Sequence, residues 1–127
     1  MKCPKCPGEL ETINHAHIEA EGCTSCRGLL LKPESVDDVM LYSMIETYLD
    51  IGNPEVGKQF DRIGDIQCPH CKLDMIKQED PEQIHIWTEK CPGCGRIFFD
   101  AGELTDLKYN TFSDFLMALI KGHRDTD

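Results

Sequence analysis

The sequence predicts a small α+β fold made of two similar modules, each an antiparallel β-hairpin with Cys-x-x-Cys knuckles followed by an α-helix. Three observations support this prediction. All eight cysteines fall into four Cys-x-x-Cys pairs. Residues 23–36 align without a gap with residues 91–104, so the chain repeats itself. In both copies the cysteine pair leads through a short apolar run into a helical pattern.

The composition explains why such a chain needs more than a hydrophobic core. It has 127 residues, and its hydrophobic fraction of 40% includes the eight cysteines. Domains this small usually depend on a metal, a disulfide or a partner. The N-terminal sequence MKCPKC has no apolar targeting segment, and the longest apolar run, residues 115–120, is too short to span a membrane. We therefore expect a cytoplasmic protein whose reduced cysteines bind metal.

The four cysteine pairs combine into two sets with the spacing of tetrahedral metal sites. Sixteen residues separate the first two pairs and nineteen separate the last two, as in known four-cysteine zinc sites. A tight turn lets two cysteines reach one ion, and two such turns complete the tetrahedron. The sequence therefore predicts two Zn²⁺, each bound by four thiolates. The predicted ligands are Cys3, Cys6, Cys23 and Cys26 in the first site and Cys68, Cys71, Cys91 and Cys94 in the second.

Three other uses of these cysteines compete with zinc. Disulfides need an oxidising compartment, to which nothing in the sequence points. A thioredoxin-like redox pair needs one Cys-x-x-Cys between a strand and a helix, rather than four knuckles. Iron in a rubredoxin-like site uses the same ligands, but such sites usually have a wider gap and a more aromatic core. Structural zinc is therefore preferred, and rubredoxin-like iron stays as the alternative.

The second copy shows how each module continues beyond its last knuckle. Gly95 follows the cysteine pair, where a positive φ relieves the turn. Residues 96–99 predict a third strand that packs against the hairpin. Asp100 and Glu103 then have the D-x-x-E spacing of a helix N-cap with a reciprocal glutamate. In the first copy, the apolar run at residues 29–31 predicts the strand, a turn starts at Pro33, and Ser35 is the predicted N-cap of residues 35–38.

At these residues the chain resembles the TFIIB-type zinc-finger family of small prokaryotic proteins. The resemblance rests on CPKCPGELE…CTSCRGLLLKPES and CPHCKLDMI…CPGCGRIFFDAGEL, which cover about residues 1–36 and 68–107. The second copy follows the family pattern closely, with Arg96 in place of its second glycine. The first copy departs further, because Leu30 stands where an aromatic is usual and Lys32 replaces the aspartate. The resemblance implies two zinc ribbons and, by analogy, a link to transcription machinery.

The chain divides into three parts by this pattern. Residues 1–50 are predicted to form the first zinc ribbon and a helix, residues 51–67 a linker, and residues 68–127 the second zinc ribbon with C-terminal helices. The helix of the first module is predicted from Pro33 to Asp50, about four turns long. Its apolar surface is wider than a single small ribbon can bury.

This wide apolar surface has two interpretations. The helix packs between the two ribbons as their shared core, which we favour, or it contacts a partner protein or a second copy of the chain as a homodimer. The interaction candidates are Met40, Met44 and Tyr48. A second apolar stripe follows in the tail, over residues 112–120, and core packing is again expected.

The charge argues against nucleic acid as the partner. The formal net charge is −10, and residues 33–67 alone hold eight acidic and two basic side chains. Nucleic-acid binding draws much of its affinity from lysines and arginines on phosphates, and this chain has no such surplus. The lysines near the knuckles are predicted to offset the negative thiolate clusters, and they are Lys2, Lys5, Lys72 and Lys90.

The predicted function is that of a non-catalytic zinc protein acting as an interaction module for another protein. Four thiolates fill a tetrahedral zinc site and leave no position for water or substrate. His70 lies inside a knuckle whose cysteines already serve as ligands, so it is predicted not to bind metal. The alternatives are an iron-bound electron carrier and a nucleic-acid-binding zinc finger that uses a local basic face of a knuckle.

Overall fold

The computed structural model describes residues 1–42, 44–60, 62–80 and 83–109, which contain six strands and four helices. The strands are β1 (Leu10–His15), β2 (Ile18–Cys23), β3 (Leu29–Leu31), β4 (Ile76–Asp80), β5 (Gln83–Lys90) and β6 (Ile97–Phe99). The helices are α1 (Pro33–Leu41), α2 (Ile45–Leu49), α3 (Pro54–Phe60) and α4 (residues 103–109). The predicted small α+β fold with two four-cysteine modules is confirmed.

All six strands form one antiparallel sheet in the order β1-β2-β3-β6-β5-β4. Each module contributes three strands, and the two halves join where β3 pairs with β6. Leu30 pairs with Phe98 at the centre of this junction, and the two residues are equivalent in the repeat. The sheet is therefore nearly two-fold symmetric about the junction, and both modules share one hydrogen-bonded ladder.

Side chains alternate between the two faces of the sheet along each strand, and at the junction of β3 and β6 both faces are buried. Leu30 and Phe98 point to the face that carries the cysteines. On the other face, residues of both strands pack with the helices, and the buried residues there include Leu29, Leu31, Val36, Val39, Ile45, Leu49, Phe99 and Leu104. This core draws on both modules, so the buried positions of the segment after Pro33 belong to a shared core. The segment does not lie between the two ribbons as predicted, because β3 and β6 pair directly and the helices pack on one face of the joined sheet.

The prediction of one continuous helix over residues 33–50 is wrong, because the helix is interrupted. α1 ends at Leu41, Tyr42 is extended with φ −96° and ψ 134°, and Met44 is left-handed with φ 66°. The carbonyl of Tyr42 accepts a hydrogen bond from the side chain of Lys108 in α4. The apolar period in the sequence runs through the break, so the local pattern does not indicate it, and the break coincides with a contact to the other module.

The predicted helix starts are correct in one module and wrong in the other. α1 begins at Pro33, and Ser35 lies buried in its first turn, so the predicted N-cap at Ser35 is wrong. The fixed φ of proline suits the first position of a helix, which explains the earlier start. In the second module, Glu103 accepts a hydrogen bond from the backbone N–H of Asp100 at 2.7 Å, as expected of the reciprocal glutamate.

Residues 51–67, predicted as a linker, contain α3. This helix crosses the loop after β6 so closely that a Cβ on Gly57 would lie 2.0 Å from the carbonyl oxygen of Ala101. At its end, Phe60 packs against the cluster on the cysteine face of the sheet. The segment between the modules is therefore packed against both of them.

Two expectations concern other parts of the chain. The apolar stripe over residues 112–120 lies outside the described residues, so the predicted C-terminal helices stay a prediction. In the part of the chain that the structure describes, no helix combines the length and the apolar character that crossing a membrane requires. The division into two domains with a boundary at residues 51–67 also stays a prediction.

Candidate metal centres

The eight cysteines form two compact groups with the composition that the sequence predicted. Within each group the four Sγ atoms lie within 4.8 Å of one another. The shortest recorded Sγ–Sγ distances are 3.8 Å for Cys3–Cys26, 3.3 Å for Cys6–Cys23 and 3.7 Å for Cys68–Cys94. Sulfurs about 2.3 Å from a central ion are about 3.8 Å apart in a tetrahedron, whereas a disulfide needs about 2.05 Å. These distances fit a four-thiolate metal site.

Each knuckle is a tight turn whose backbone donates hydrogen bonds to its own sulfurs. In the first site the N–H of Cys26 donates to Cys23 Sγ at 3.4 Å, and in the second site Gly93 donates to Cys91 Sγ at 3.4 Å. Gly95, directly after the last cysteine, has φ 79°, as the sequence predicted. Backbone donors stabilise the thiolate form of cysteine, which is the form that binds metal.

The four thiols of each group affect one another's acidity. A hydrogen bond with Cys3 lowers the pKa of Cys26 to about 5, and the same contact raises the pKa of Cys3. In the second group, burial opposes ionisation of Cys94, but hydrogen bonds from the backbone and side chain of Arg96 outweigh it and lower its pKa to about 6. Contact with Cys94 raises the pKa of Cys71 to about 12. Four crowded sulfurs ionise together only when a cation balances their charge, as Zn²⁺ does.

Lys5 does not serve the thiolates as the sequence predicted, because its side chain reaches into the second module. Its Nζ lies 2.8 Å from Asp100 Oδ2 and 2.9 Å from Glu89 Oε1. It also donates to the carbonyl of Phe60, at the end of α3, at 3.2 Å. The three charged side chains are at most 2% exposed. We call these three residues the Lys5–Glu89–Asp100 cluster.

The charges of this cluster depend on one another. Burial alone would lower the pKa of Lys5, but the carboxylates of Asp100 and Glu89 outweigh it, and the pKa is raised. Burial raises the pKa of Glu89, and Lys5 acts against that rise. Buried charges of this kind are tolerated only while each cation keeps its carboxylate partners. The cluster therefore ties the first knuckle firmly to the second module.

A second contact between the modules repeats the first one across the near two-fold axis. His70 Nε2 lies 2.5 Å from Glu21 Oε1, and the side chains are 27% and 17% exposed. Lys5 and His70 are each the third residue of a first knuckle, and Glu21 and Glu89 each stand two residues before a second knuckle. Sequence reasoning missed both contacts. The signal was present in the repeat, as a basic residue type and a glutamate at matching positions of both copies.

The second module also fixes the position of α2. The carboxylate of Asp50, at the end of α2, accepts hydrogen bonds from the N–H groups of Gly102 and Thr105 at 2.8 and 3.0 Å. It therefore caps α4 from a distant part of the sequence. In return, Lys108 of α4 donates to the buried carboxylate of Glu46 in α2 at 2.6 Å. These contacts hold the two short helices side by side.

The segment around α2 exposes large apolar side chains. Their exposed fractions are 78% for Leu41, 48% for Tyr42, 62% for Met44, 58% for Tyr48 and 58% for Ile51. We call these five residues the α1–α2 face. Of the predicted interaction residues, Met44 and Tyr48 lie on this face, whereas Met40 is half-buried against the helix-side core. The structure thus adds Leu41, Tyr42 and Ile51 to the candidates.

Comparison with known proteins bears on the first module. Residues 2–40 match the TFIIB-type zinc ribbon family, described as a transcription factor zinc-finger. No curated protein and no solved structure matches the chain. The resemblance seen in the sequence is confirmed over residues 2–40, and the second four-cysteine group supports a second copy. The match falls on the copy that departs further from the family pattern, so Leu30 and Lys32 are compatible with a zinc ribbon.

The family match and the two cysteine groups assign two Zn²⁺ to the protein, one in each group. Four thiolates complete the tetrahedral coordination of each ion, which is the arrangement of structural zinc. Bound zinc supplies a fixed cross-link between two knuckles of the same ribbon. The residues of the chain supply the backbone donors, the cation at Arg96 beside Cys94 and the packing of both faces of the sheet.

Proposed function

We propose that this protein is a non-catalytic zinc-binding module of the cytoplasm that presents its α1–α2 face to another protein, in a transcription-related role. The observation that carries the proposal is the concentration of exposed apolar side chains from Leu41 to Ile51, which are 78% and 58% exposed. Extended exposed apolar patches on small domains mark interaction sites. The transcription factor zinc-finger family matched by residues 2–40 supports the link to transcription. The eight free cysteines suit a reducing compartment.

The composition of the zinc sites supports a structural role. Four thiolates leave no position on the ion for water or substrate, which removes the usual route to zinc catalysis. The buried side chains of Lys5, within a knuckle, and Glu89, two residues before another, form an ion pair with a distance of 2.9 Å between Nζ and Oε1. In this proposal the ions stabilise the sheet, and the sheet positions the helices that form the α1–α2 face.

The charge near this face favours a partner with basic side chains around an apolar surface. Residues 33–67 hold eight acidic and two basic side chains, and Glu34 and Asp37 are exposed on α1. Opposite charges steer partners together and make the contact sensitive to salt. A second copy of this acidic chain would be repelled at the same contact. We therefore propose a different protein as the occupant, and self-association becomes an outcome of the test.

A photo-reactive amino acid in place of Leu41 tests the proposal in the native cell. We expect a covalent adduct with another protein, attached at a segment in which basic residues flank apolar ones. Met44→Asp in the same chain is expected to abolish the adduct, because it places a charge in the α1–α2 face. The matched control, Ile76→Asp, removes a 52% exposed apolar side chain of the edge strand β4 and is expected to keep the adduct. Both variants are first shown to hold two zinc ions.

Three results would contradict the proposal. Adducts with a second copy alone, together with a doubled mass in light scattering, would identify the face as a homodimer contact. An adduct that survives Met44→Asp as well as Ile76→Asp would show that the face is not the site. Tight binding of nucleic acid that weakens steeply as salt rises would indicate a phosphate-binding function instead.

A further inference from the structure

The Lys5–Glu89–Asp100 cluster connects the two zinc sites directly. Lys5 stands between the first two ligands of the first site, and Glu89 stands two residues before Cys91 of the second site. Asp100 follows β6, the strand that leads away from the last knuckle. The cation of the cluster thus belongs to one knuckle, and both carboxylates belong to the module of the other.

The position of Lys5 depends on the first zinc ion. Lys5 lies between Cys3 and Cys6, whose sulfurs belong to the first four-cysteine group, in a turn that a backbone hydrogen bond from Cys3 N–H to the carbonyl of Gly8 closes at 2.9 Å. When the ion leaves, the knuckle loses its cross-link, because metal binding and folding are one process in such small sites. Lys5 can then move away from Glu89 and Asp100.

Departure of Lys5 leaves two carboxylates in a place that excludes water. Glu89 and Asp100 are at most 2% exposed, and Lys5 Nζ is within 2.9 Å of both. Removing one partner of a buried ion pair is strongly destabilising, because the buried carboxylates lose the cation that lies within 2.9 Å of both of them. The loss therefore falls on β5 and on the chain after β6, which lie before and after the Cys91–Cys94 knuckle of the second site.

We propose that the two zinc sites are coupled through this cluster, so that loss of the ion from either site weakens zinc binding at the other. Coupling between two binding sites is reciprocal, so the second ion supports the first by the same factor. When zinc is scarce, chains that hold a single ion are then rare. The inference extends the structural role of zinc and holds whatever partner binds the α1–α2 face.

The test measures the zinc affinity of the first site with and without a working second site. Cys91→Ser removes the second site, and the affinity for Zn²⁺ is measured by competition with a chromophoric chelator. We expect the first site to bind zinc about 10-fold to 100-fold more weakly in this variant. An unchanged affinity would overturn the proposal.

A charge-free cluster shows whether the coupling runs through these residues. The triple variant Lys5→Gln, Glu89→Gln, Asp100→Asn replaces both carboxylates by amides of the same size and the lysine by a shorter neutral side chain that can form hydrogen bonds, so it removes the buried charges. In this background the weakening caused by Cys91→Ser is expected to shrink by about tenfold, and the pairing of β3 with β6 accounts for the remainder. An equal weakening in both backgrounds would overturn the proposal, because the coupling would then run through the sheet alone.

Two further variants make the result specific. The control Lys2→Gln, Glu9→Gln removes an ion pair of the first module with a distance of 3.2 Å and exposures of 77% and 54%, and it is expected to leave the full weakening in place. If the triple variant fails to hold two ions, Glu89→Gln alone serves, because it removes one carboxylate and keeps the 2.8 Å pair of Lys5 with Asp100. A smaller weakening is expected there, and an unchanged one would again overturn the proposal.

Discussion

The two zinc ribbons share a plan but differ in their surroundings. In the first site only Cys6 is half-buried, whereas in the second site Cys71 and Cys94 are both half-buried. The side chains of Lys5 and its two carboxylate partners are at most 2% exposed, whereas the side chain of His70, the equivalent of Lys5, is 27% exposed. The knuckle that contains Lys5 is therefore buried against the second module, whereas the equivalent knuckle that contains His70 lies nearer the surface. The two sites therefore have the same four ligands but differ in how deeply the surrounding residues bury them.

The junction of the sheet shows a second difference, and it explains two departures from the family pattern. A Cβ on Gly28 would lie 2.4 Å from the Cζ atom of Phe98, so the large ring of the second module requires glycine here. At the equivalent places, Leu30 is smaller and Arg96 replaces the glycine, and these two residues line one shallow depression. Loss of an aromatic in one copy therefore makes room for a longer side chain in the other. Arg96 uses this room to hydrogen-bond Cys94.

Of the changes that test this comparison, removal of a zinc ligand is expected to affect stability and zinc content most. Cys91→Ser should unfold the second module, because zinc binding and folding are coupled in a ribbon. The first module should lose stability as well, since β3 pairs with β6. Zinc content should fall to one ion per chain or less, and circular dichroism should show loss of structure. Two bound ions with an unchanged melting curve would contradict the account.

The next largest effect is expected at the knuckle that contains Lys5. Lys5→Met removes the ammonium group that lies within 2.9 Å of the buried carboxylates of Glu89 and Asp100, and it should lower the free energy of unfolding by about 3–5 kcal/mol. His70→Gln should have a smaller effect, because its contact with Glu21 is partly exposed. Lys2→Met, at the exposed end of the same module, serves as the control without a measurable change. Denaturant unfolding in excess zinc provides the comparison, and equal losses for Lys5→Met and His70→Gln would refute the difference between the knuckles.

Removal of the long-range helix cap is expected to cost less. Asp50→Ala takes away the acceptor for the N–H groups of Gly102 and Thr105 and should lower stability by about 1–2 kcal/mol. α1 has no side-chain cap, because Lys32 makes no such hydrogen bond, so Lys32→Ala is the matched control. Thermal melting of both variants decides between them. A loss in Lys32→Ala as large as in Asp50→Ala would argue against the capping role.

The smallest expected effect is a difference in thiol reactivity between the sites. Cys6 and Cys71 are half-buried in both sites, but Cys94 is half-buried where its counterpart Cys26 is buried, so an alkylating reagent should reach Cys94 before Cys26. Mass spectrometry of peptides after short exposure identifies the labelled cysteines. Labelling of Cys3 or Cys26 before Cys94 would contradict the order of accessibility that burial predicts.

Local features of the fold could be predicted from the sequence, because they depend on residues near one another in the chain. The knuckle turns follow from Cys-x-x-Cys spacing, the positive φ follows from Gly95, and the contact of Glu103 with Asp100 follows from D-x-x-E spacing. The two strands that begin at Leu29 and Ile97 follow from apolar runs placed directly after the knuckles. In each case the physical cause is contained within a few residues.

Contacts between the modules could not be predicted, because their causes are far apart in the sequence. The pairing of β3 with β6 joins strands 68 residues apart, and no local pattern specifies which edges meet. At the break after Leu41, the carbonyl of Tyr42 accepts a hydrogen bond from the distant Lys108. Lys5 stands in a knuckle where a lysine is expected to be exposed, and only the fold shows that its partners are buried. Contacts between residues far apart in the sequence therefore determine how the two modules are joined, which local sequence patterns do not specify.

The most direct test of the central claim is the metal itself, measured on protein purified without added metal. Elemental analysis gives the number and kind of ions per chain, and X-ray absorption gives the distance from each ion to its ligands. The account predicts two Zn²⁺ per chain, each with four sulfurs at about 2.3 Å. Iron in place of zinc, one ion per chain, or sulfurs bonded to each other at about 2.05 Å would contradict it.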